Sequence, residues 1–166
     1  MAGAIVDVAT ALGSQIVTND DLQAEHGDWN MAAVERSTGV AARRVAAEGE
    51  TALDLAEAAC RRLLERNPEL AAGVDLLVVC TQTSERQVPA DACVLHGRLG
   101  LPGPVGAFDL GAACSGYVYG LSVADAMIAA GRADHVLLVT AETYSKLLDP
   151  DDRATRSLFG DGASAT

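Results

Sequence analysis

Apolar residues fall along this chain in two rhythms, and their alternation predicts the elements. Ala4 to Ala11 reads as a first strand, ended by Gly13. Thr18-Asn19-Asp20-Asp21 is a helix-start signal, with Asn19 or Thr18 as the cap of a short helix to Glu25, and Met31 to Glu35 is a second short piece closed by Ser37-Thr38-Gly39. Val40 to Gly49 reads as a loop or strand edge. Thr51 opens a clearer helix, in which Leu53, Ala56, Cys60 and Leu63 recur at helical spacing until Asn67-Pro68 stops it. Val74 to Thr81, centred on Leu76-Leu77-Val78-Val79, predicts a buried parallel strand, and the polar loop Gln82 to Gln87 follows it. Pro89 starts a helix through Cys93, His96 and Leu99, closed by Gly100. Val105 to Leu110 predicts the next strand. Cys114 to Ala130 predicts a helix apolar on most sides and therefore buried. Val136 to Ala141 and Ser157 to Thr166 complete the series as strands, the last interrupted by Gly160-Asp161-Gly162.

Strands alternating with helices predict an α/β fold, a mixed and mostly parallel five-stranded sheet with helices on both faces. The 166 residues suffice for one domain with a real core. Nearly half of them are apolar while aromatics make up only 4%, so the packing must rest on alanine and branched side chains. A net charge of −11 argues against nucleic acid and against an anionic membrane surface as partners. No apolar stretch reaches the ~18 residues that would span a bilayer, and the first residues lack the pattern of a signal peptide. Cys60, Cys80, Cys93 and Cys114 have neither a metal spacing nor that of a small disulfide framework, so a cytoplasmic location is expected.

Candidate chemistry centres on Gly106-Ala-Phe-Asp-Leu-Gly-Ala-Ala-Cys-Ser-Gly-Tyr117. Here a strand passes through small residues into a helix led by Cys114. A thiol at a helix N-terminus meets the positive end of the helix dipole, which favours thiolate by up to ~2 kcal/mol where the terminus is partly buried. Ala112, Ala113, Ser115 and Gly116 leave room for a substrate beside it. Cys114 is therefore the candidate nucleophile, whereas Cys60 and Cys80 read as packed core.

Three blocks carry a family resemblance: Ala107-Phe-Asp-Leu-Gly-Ala-Ala-Cys-Ser-Gly-Tyr117, Asp149-Pro-Asp-Asp-Arg-Ala-Thr155 and Phe159-Gly-Asp-Gly-Ala163. With weaker support from Thr38-Gly39-Val40 and Gln87-Val-Pro89, the chain resembles the N-terminal half of the β-ketoacyl-acyl carrier protein synthase III family, among the thiolase-like condensing enzymes. The resemblance implies that residues 1–166 are one thiolase-like half of a layered α/β/α/β/α body, with the C-terminal half outside this chain. It implies that Cys114 takes an acyl group from an acyl-CoA or an acyl carrier protein for condensation with a malonyl extender, as in fatty acid or polyketide biosynthesis. Coenzyme A then enters as a thioester substrate and not as a resident cofactor, and no metal is expected. The adenine would lie between Trp29 and Arg153, although Trp29 stands further before Gly39 than the family pattern usually has it. Val88, at the position that reaches a dimer partner's acyl pocket, is smaller than the common aromatic residue and implies a longer or branched acyl group.

The family's catalytic histidine and asparagine belong to the other half. His26, His96 and His135 match neither, so condensation needs a C-terminal half, on a second polypeptide or on a longer chain, with a dimer of complete units as the expected assembly. Two alternatives stand beside this reading. One is a non-catalytic structural half-subunit of a condensing enzyme. The other is a cysteine α/β-hydrolase, since Ala112-Ala-Cys-Ser-Gly116 approximates the Gly-x-Ser-x-Gly elbow, but that chemistry needs an Asp and then a His later in the chain, and only His135 follows.

Overall fold

A computed structural model of the chain describes residues 3–101 and 104–166. In chain order its elements are β1 (Ala9–Leu12), β2 (Gln15–Thr18), α1 (Asn19–Glu25), α2 (Met31–Thr38), β3 (Ala42–Val45), α3 (Ala52–Arg66), α4 (Pro68–Ala71), β4 (Leu76–Cys80) and α5 (Asp91–Leu99). Then come β5 (Gly106–Asp109), a 3-10 turn (Ala113–Ser115), α6 (Gly116–Ala129), β6 (Val136–Glu142), a second 3-10 turn (Tyr144–Leu147), α7 (Arg153–Arg156) and β7 (Gly162–Ala165).

Five strands form one sheet in the order β1-β7-β6-β4-β5. β4 lies at its parallel centre, pairing Leu76 with Gly106 on one side and with Val136 on the other. β7 runs antiparallel to both β6 and β1. Four strands therefore share a direction and one opposes them, which is the mixed, mostly parallel sheet expected. Every residue of β4 is buried, because helices cover both faces. Leu77, Val79, Leu137 and Val139 pack with Leu53, Ala56, Cys60 and Leu63 of α3 and with Leu95 of α5. Leu76, Val78 and Leu138 meet Tyr117, Leu121 and Met127 of α6 on the other face. The predicted stripe on α3 is thus the observed core stripe. Its start is fixed by a reciprocal cap, in which Thr51 accepts from the Asp54 N–H and Asp54 accepts from the Thr51 N–H.

Three expectations need correction, and one strand pair carries no expectation beyond the strand edge read at Val40 to Gly49. The first strand is shorter than Ala4 to Ala11, because residues 3–8 are held by side chains instead of a ladder: Asp7 takes Asn67 and Arg66, and the Gly3 N–H donates to Asp125. Gln15–Thr18 pairs with Ala42–Val45 as a separate two-stranded sheet, and its four-residue strand is too short to carry a periodic signal. Residues 157–161 are not strand. Asp161 there accepts from the Ala46 N–H (2.7 Å), the Ser145 N–H (2.8 Å) and the Ser145 hydroxyl (2.5 Å), while its carbonyl takes the Gly13 N–H (3.0 Å). Finally, α6 is not buried. Only Gly116 and Gly120 are, while Val118 and Tyr119 are 66% and 59% exposed. A helix apolar on all sides is built for two neighbours, and the described residues supply a sheet on one side only.

Asp161 explains the Phe-Gly-Asp-Gly motif as a structural clasp. Replacing it with alanine strands the buried Ala46 N–H and the half-buried Ser145 N–H, each costing about 1–3 kcal/mol. Asp161→Ala is therefore expected to lower the free energy of unfolding by about 3 kcal/mol or more in a urea titration, and a change within 0.5 kcal/mol would contradict the clasp.

Candidate functional site

The three parallel strands end together, at Cys80, Asp109 and Glu142, and the loops that follow build the site. Carboxyl ends of parallel strands are where α/β sheets place ligands, since the connecting loops diverge there. Each end is tied down. Asp109 accepts the N–H groups of Asp91 and Ala92, both at 2.8 Å, which fixes the start of α5 against the end of β5. Glu142 accepts the Gln82 N–H (2.8 Å) and the Thr83 hydroxyl (2.9 Å), which joins the loop after β4 to β6. Asp91 is buried, and that burial followed by the nearby Asp109 charge pushes its carboxyl upward.

Cys114 lies in the 3-10 turn between β5 and α6 and is exposed. The long helix begins two residues later, at Gly116, so the sequence placed its start slightly early. An exposed sulfur also draws less from the helix dipole than a partly buried one. What the sequence did not reveal is the shape of the turn. Ala113 has φ +47°, a left-handed backbone that an alanine adopts at a cost of order 1–3 kcal/mol. The Ala112 carbonyl holds it in place, accepting from the Ser115 N–H at 3.1 Å and the Ser115 hydroxyl at 2.7 Å. Together these features make a sharp strand-to-helix elbow with a small-residue surround and a thiol at its apex. Such a thiol is open to a thioester carbonyl.

The other sequence candidates lie apart from this elbow. Trp29 is 6% exposed, packed with Leu22 and Met31, and the His26 ring stacks on it at 3.9 Å and 9°. Arg156 joins that stack to α7, 2.9 Å from His26 Nε2 and paired with Glu25 at 2.7 Å. Arg153 is exposed at the start of α7, where Asp152 caps the helix. Trp29 and Arg153 therefore sit on adjoining segments, but His26 covers one face of the indole. Val88 is 84% exposed in the loop before α5. His96 lies on α5, and His135 sits just before β6, at the end of the sheet away from Cys114. An apolar cavity of about 340 Å³, lined by Ile5, Leu63, Leu121, Ile128 and Val136, also lies at that far end and is no part of the elbow. Among the described residues no cluster of side chains could hold a metal, and no helix is long and apolar enough to cross a membrane.

Residues 108–166, which include the elbow and both later motifs, match the family model described as 3-oxoacyl-[acyl-carrier-protein (ACP)] synthase III. The chain is 44% identical over 161 residues to a β-ketoacyl-[acyl-carrier-protein] synthase III of Deinococcus deserti, covering 97% of this chain and 45% of that protein. A solved 3-oxoacyl-(acyl-carrier-protein) synthase III superposes with a TM-score of 0.95 at 47% identity, over 99% of this chain and 49% of that one. The synthase III of Thermus thermophilus superposes with a TM-score of 0.92 at 40% identity, over 98% and 50%. The chain spans about half the length of the curated relatives it matches.

Proposed function

We propose, from the premise that this chain is kin to the N-terminal half of the thiolase-like β-ketoacyl-acyl carrier protein synthase III enzymes, that it supplies the acyl-accepting half of a condensing enzyme. The observation that carries the reading is the exposed Cys114 thiol at the apex of a strained, small-residue elbow over the carboxyl ends of three parallel strands. The Cys114 thiolate attacks the carbonyl of an acyl-CoA or acyl carrier protein thioester, the carbon–sulfur bond to the donor breaks, and the donor leaves as a thiol after taking a proton. In the second half-reaction a malonyl thioester loses carbon dioxide. The electron pair left behind attacks the acyl-Cys114 carbonyl and expels the cysteine thiolate. Enolate stabilisation needs donors, and none of the three histidines lies at the elbow. A C-terminal half with histidine and asparagine, in a dimer of complete units, is the required partner. Four free thiols suit the reducing cytoplasm.

In this reading Arg153 and Trp29 hold the adenine of coenzyme A, with His26 swinging off the indole to admit it, and Val88 leaves room for a longer or branched acyl chain. Stacking of a guanidinium is worth about 1–2 kcal/mol. Arg153→Ala is accordingly expected to raise the acyl-CoA concentration for half-maximal loading roughly tenfold without slowing loading at saturation; an unchanged concentration would remove Arg153 from the site. The function itself is tested by incubating the protein with radiolabelled acyl-CoAs from acetyl to branched and medium-length chains. Covalent label that turns over slowly supports a synthase. Rapid release of free acid supports a hydrolase, and a strict acetyl preference contradicts the role of Val88.

A further inference from the structure

Two residues after Cys114 the chain closes down on a buried sulfur, that of Cys80. Cys80 ends β4 and is buried, with its sulfur directly below the elbow. The Ala112 backbone N–H lies on the near side of that sulfur and favours its thiolate, though burial outweighs the effect. On the other side Gly116, the first residue of α6, packs so closely that a side-chain methyl there would overlap Cys80 Sγ and press on its Cβ. Between these two feet lie the left-handed Ala113 and the exposed Cys114. The chemistry described above gives Cys80 no task, because its sulfur is covered by the residues it supports.

We infer that Cys80 is a positioning residue: its sulfur is the common support of Ala112 and Gly116, and it sets the height and direction at which Cys114 meets a thioester. A strained turn keeps its shape only when its surroundings over-determine it. Here the hydrogen bonds of the Ala112 carbonyl close the turn from above, and the Cys80 sulfur props it from below. Burial pushes the Cys80 thiol upward, outweighing the Ala112 N–H, so it stays protonated and does not compete as a nucleophile. Size also matters at this position. A sulfur reaches further from Cβ than a hydroxyl oxygen, so a serine at this position gives a shorter support.

The inference rests on the acyl-transfer reading for its consequence but not for its geometry, so the test separates the two. In the intact protein, Cys80→Ala and Cys80→Ser are compared with wild type by three readouts: acyl loading of Cys114, its alkylation by iodoacetamide, and amide hydrogen exchange over residues 111–117. A displacement of about 1 Å can cost up to ~10²-fold in an oriented reaction. Cys80→Ala is expected to slow acyl loading at least tenfold, to change alkylation, which asks for no orientation, less than twofold, and to raise exchange at the Ala112 and Gly116 amides. Cys80→Ser keeps an acceptor for the Ala112 N–H and is expected to recover part of the loading rate and of the protection. Cys80→Ala that loads at the wild-type rate with unchanged exchange overturns the inference, as does a loss of loading matched by an equal loss of alkylation. If wild type itself takes no acyl group, the synthase reading fails and the exchange result alone decides the role of Cys80.

Discussion

Cys114→Ser is expected to abolish acyl loading, with a loss on the order of 10³-fold or more. The argument is chemical before it is structural. A serine hydroxyl needs an adjacent base to become a nucleophile, and the turn offers none: its neighbours are Ala112, Ala113, Ser115 and Gly116, and the three histidines lie on α5, beside Trp29 and at the far end of β6. A thiol, by contrast, supplies some thiolate near neutral pH unaided. Losses of the size seen when a nucleophile is removed from a hydrolase set the scale. The backbone of the turn should survive, because its hydrogen bonds come from Ser115 and the Ala112 carbonyl and not from the Cys114 side chain. Cys93 is the control. It is also exposed but sits on α5 with its sulfur toward the Ala107 carbonyl. In the Cys114→Ser protein Cys93 should still react with iodoacetamide while acyl loading is gone. Undiminished loading in that variant would assign the chemistry elsewhere.

The second large effect concerns carbon–carbon bond formation. The 166-residue chain alone is expected to release no carbon dioxide from a malonyl thioester above the uncatalysed rate, even with Cys114 fully acylated. Adding the C-terminal half proposed above, as a separate polypeptide or as one longer chain, should restore it. Decarboxylation leaves a carbanion equivalent that needs preorganised donors, and none of the chain's histidines is positioned to give one to a group on Cys114. The exposed side of α6 points the same way. Val118 and Tyr119 lie open beside the elbow on a helix whose other side already covers Leu76, Val78 and Leu138. A layer placed on that side would bury them and confine the site. Condensation by the 166-residue chain alone would show that it contains its own donors and would overturn the division of labour.

Much of this architecture was legible in the sequence wherever one physical signal dominated. The α3 stripe and the apolar centre of β4 are long enough for periodicity and continuity to speak, and both lie where expected. Thr51 and Gly100 act as the caps their residue types predict, and of the two candidates Asn19 and Thr18 it is Thr18 that caps α1. The elbow was located because small residues between a strand and a helix stand out around a cysteine. Its left-handed Ala113 was not, since nothing about an alanine announces a positive φ. Cys80 reads as packed from the sequence, and it is buried. That it packs against both flanks of Cys114 depends on β4 and β5 being parallel neighbours, a tertiary fact with no local trace. Trp29 shows the opposite limit. The family resemblance gives it an adenine to stack on, and within the chain the imidazole of His26 already stacks on one face.

The most direct test is peptide-mapped mass spectrometry of the intact protein after mixing with an acyl-CoA in the absence of any malonyl extender. The account predicts one acyl group, as a thioester on the peptide that contains Cys114 and removable by hydroxylamine, with Cys60, Cys80 and Cys93 unmodified. An acyl group on Cys93 or on a lysine, or no adduct at all in the assembled protein, would contradict it.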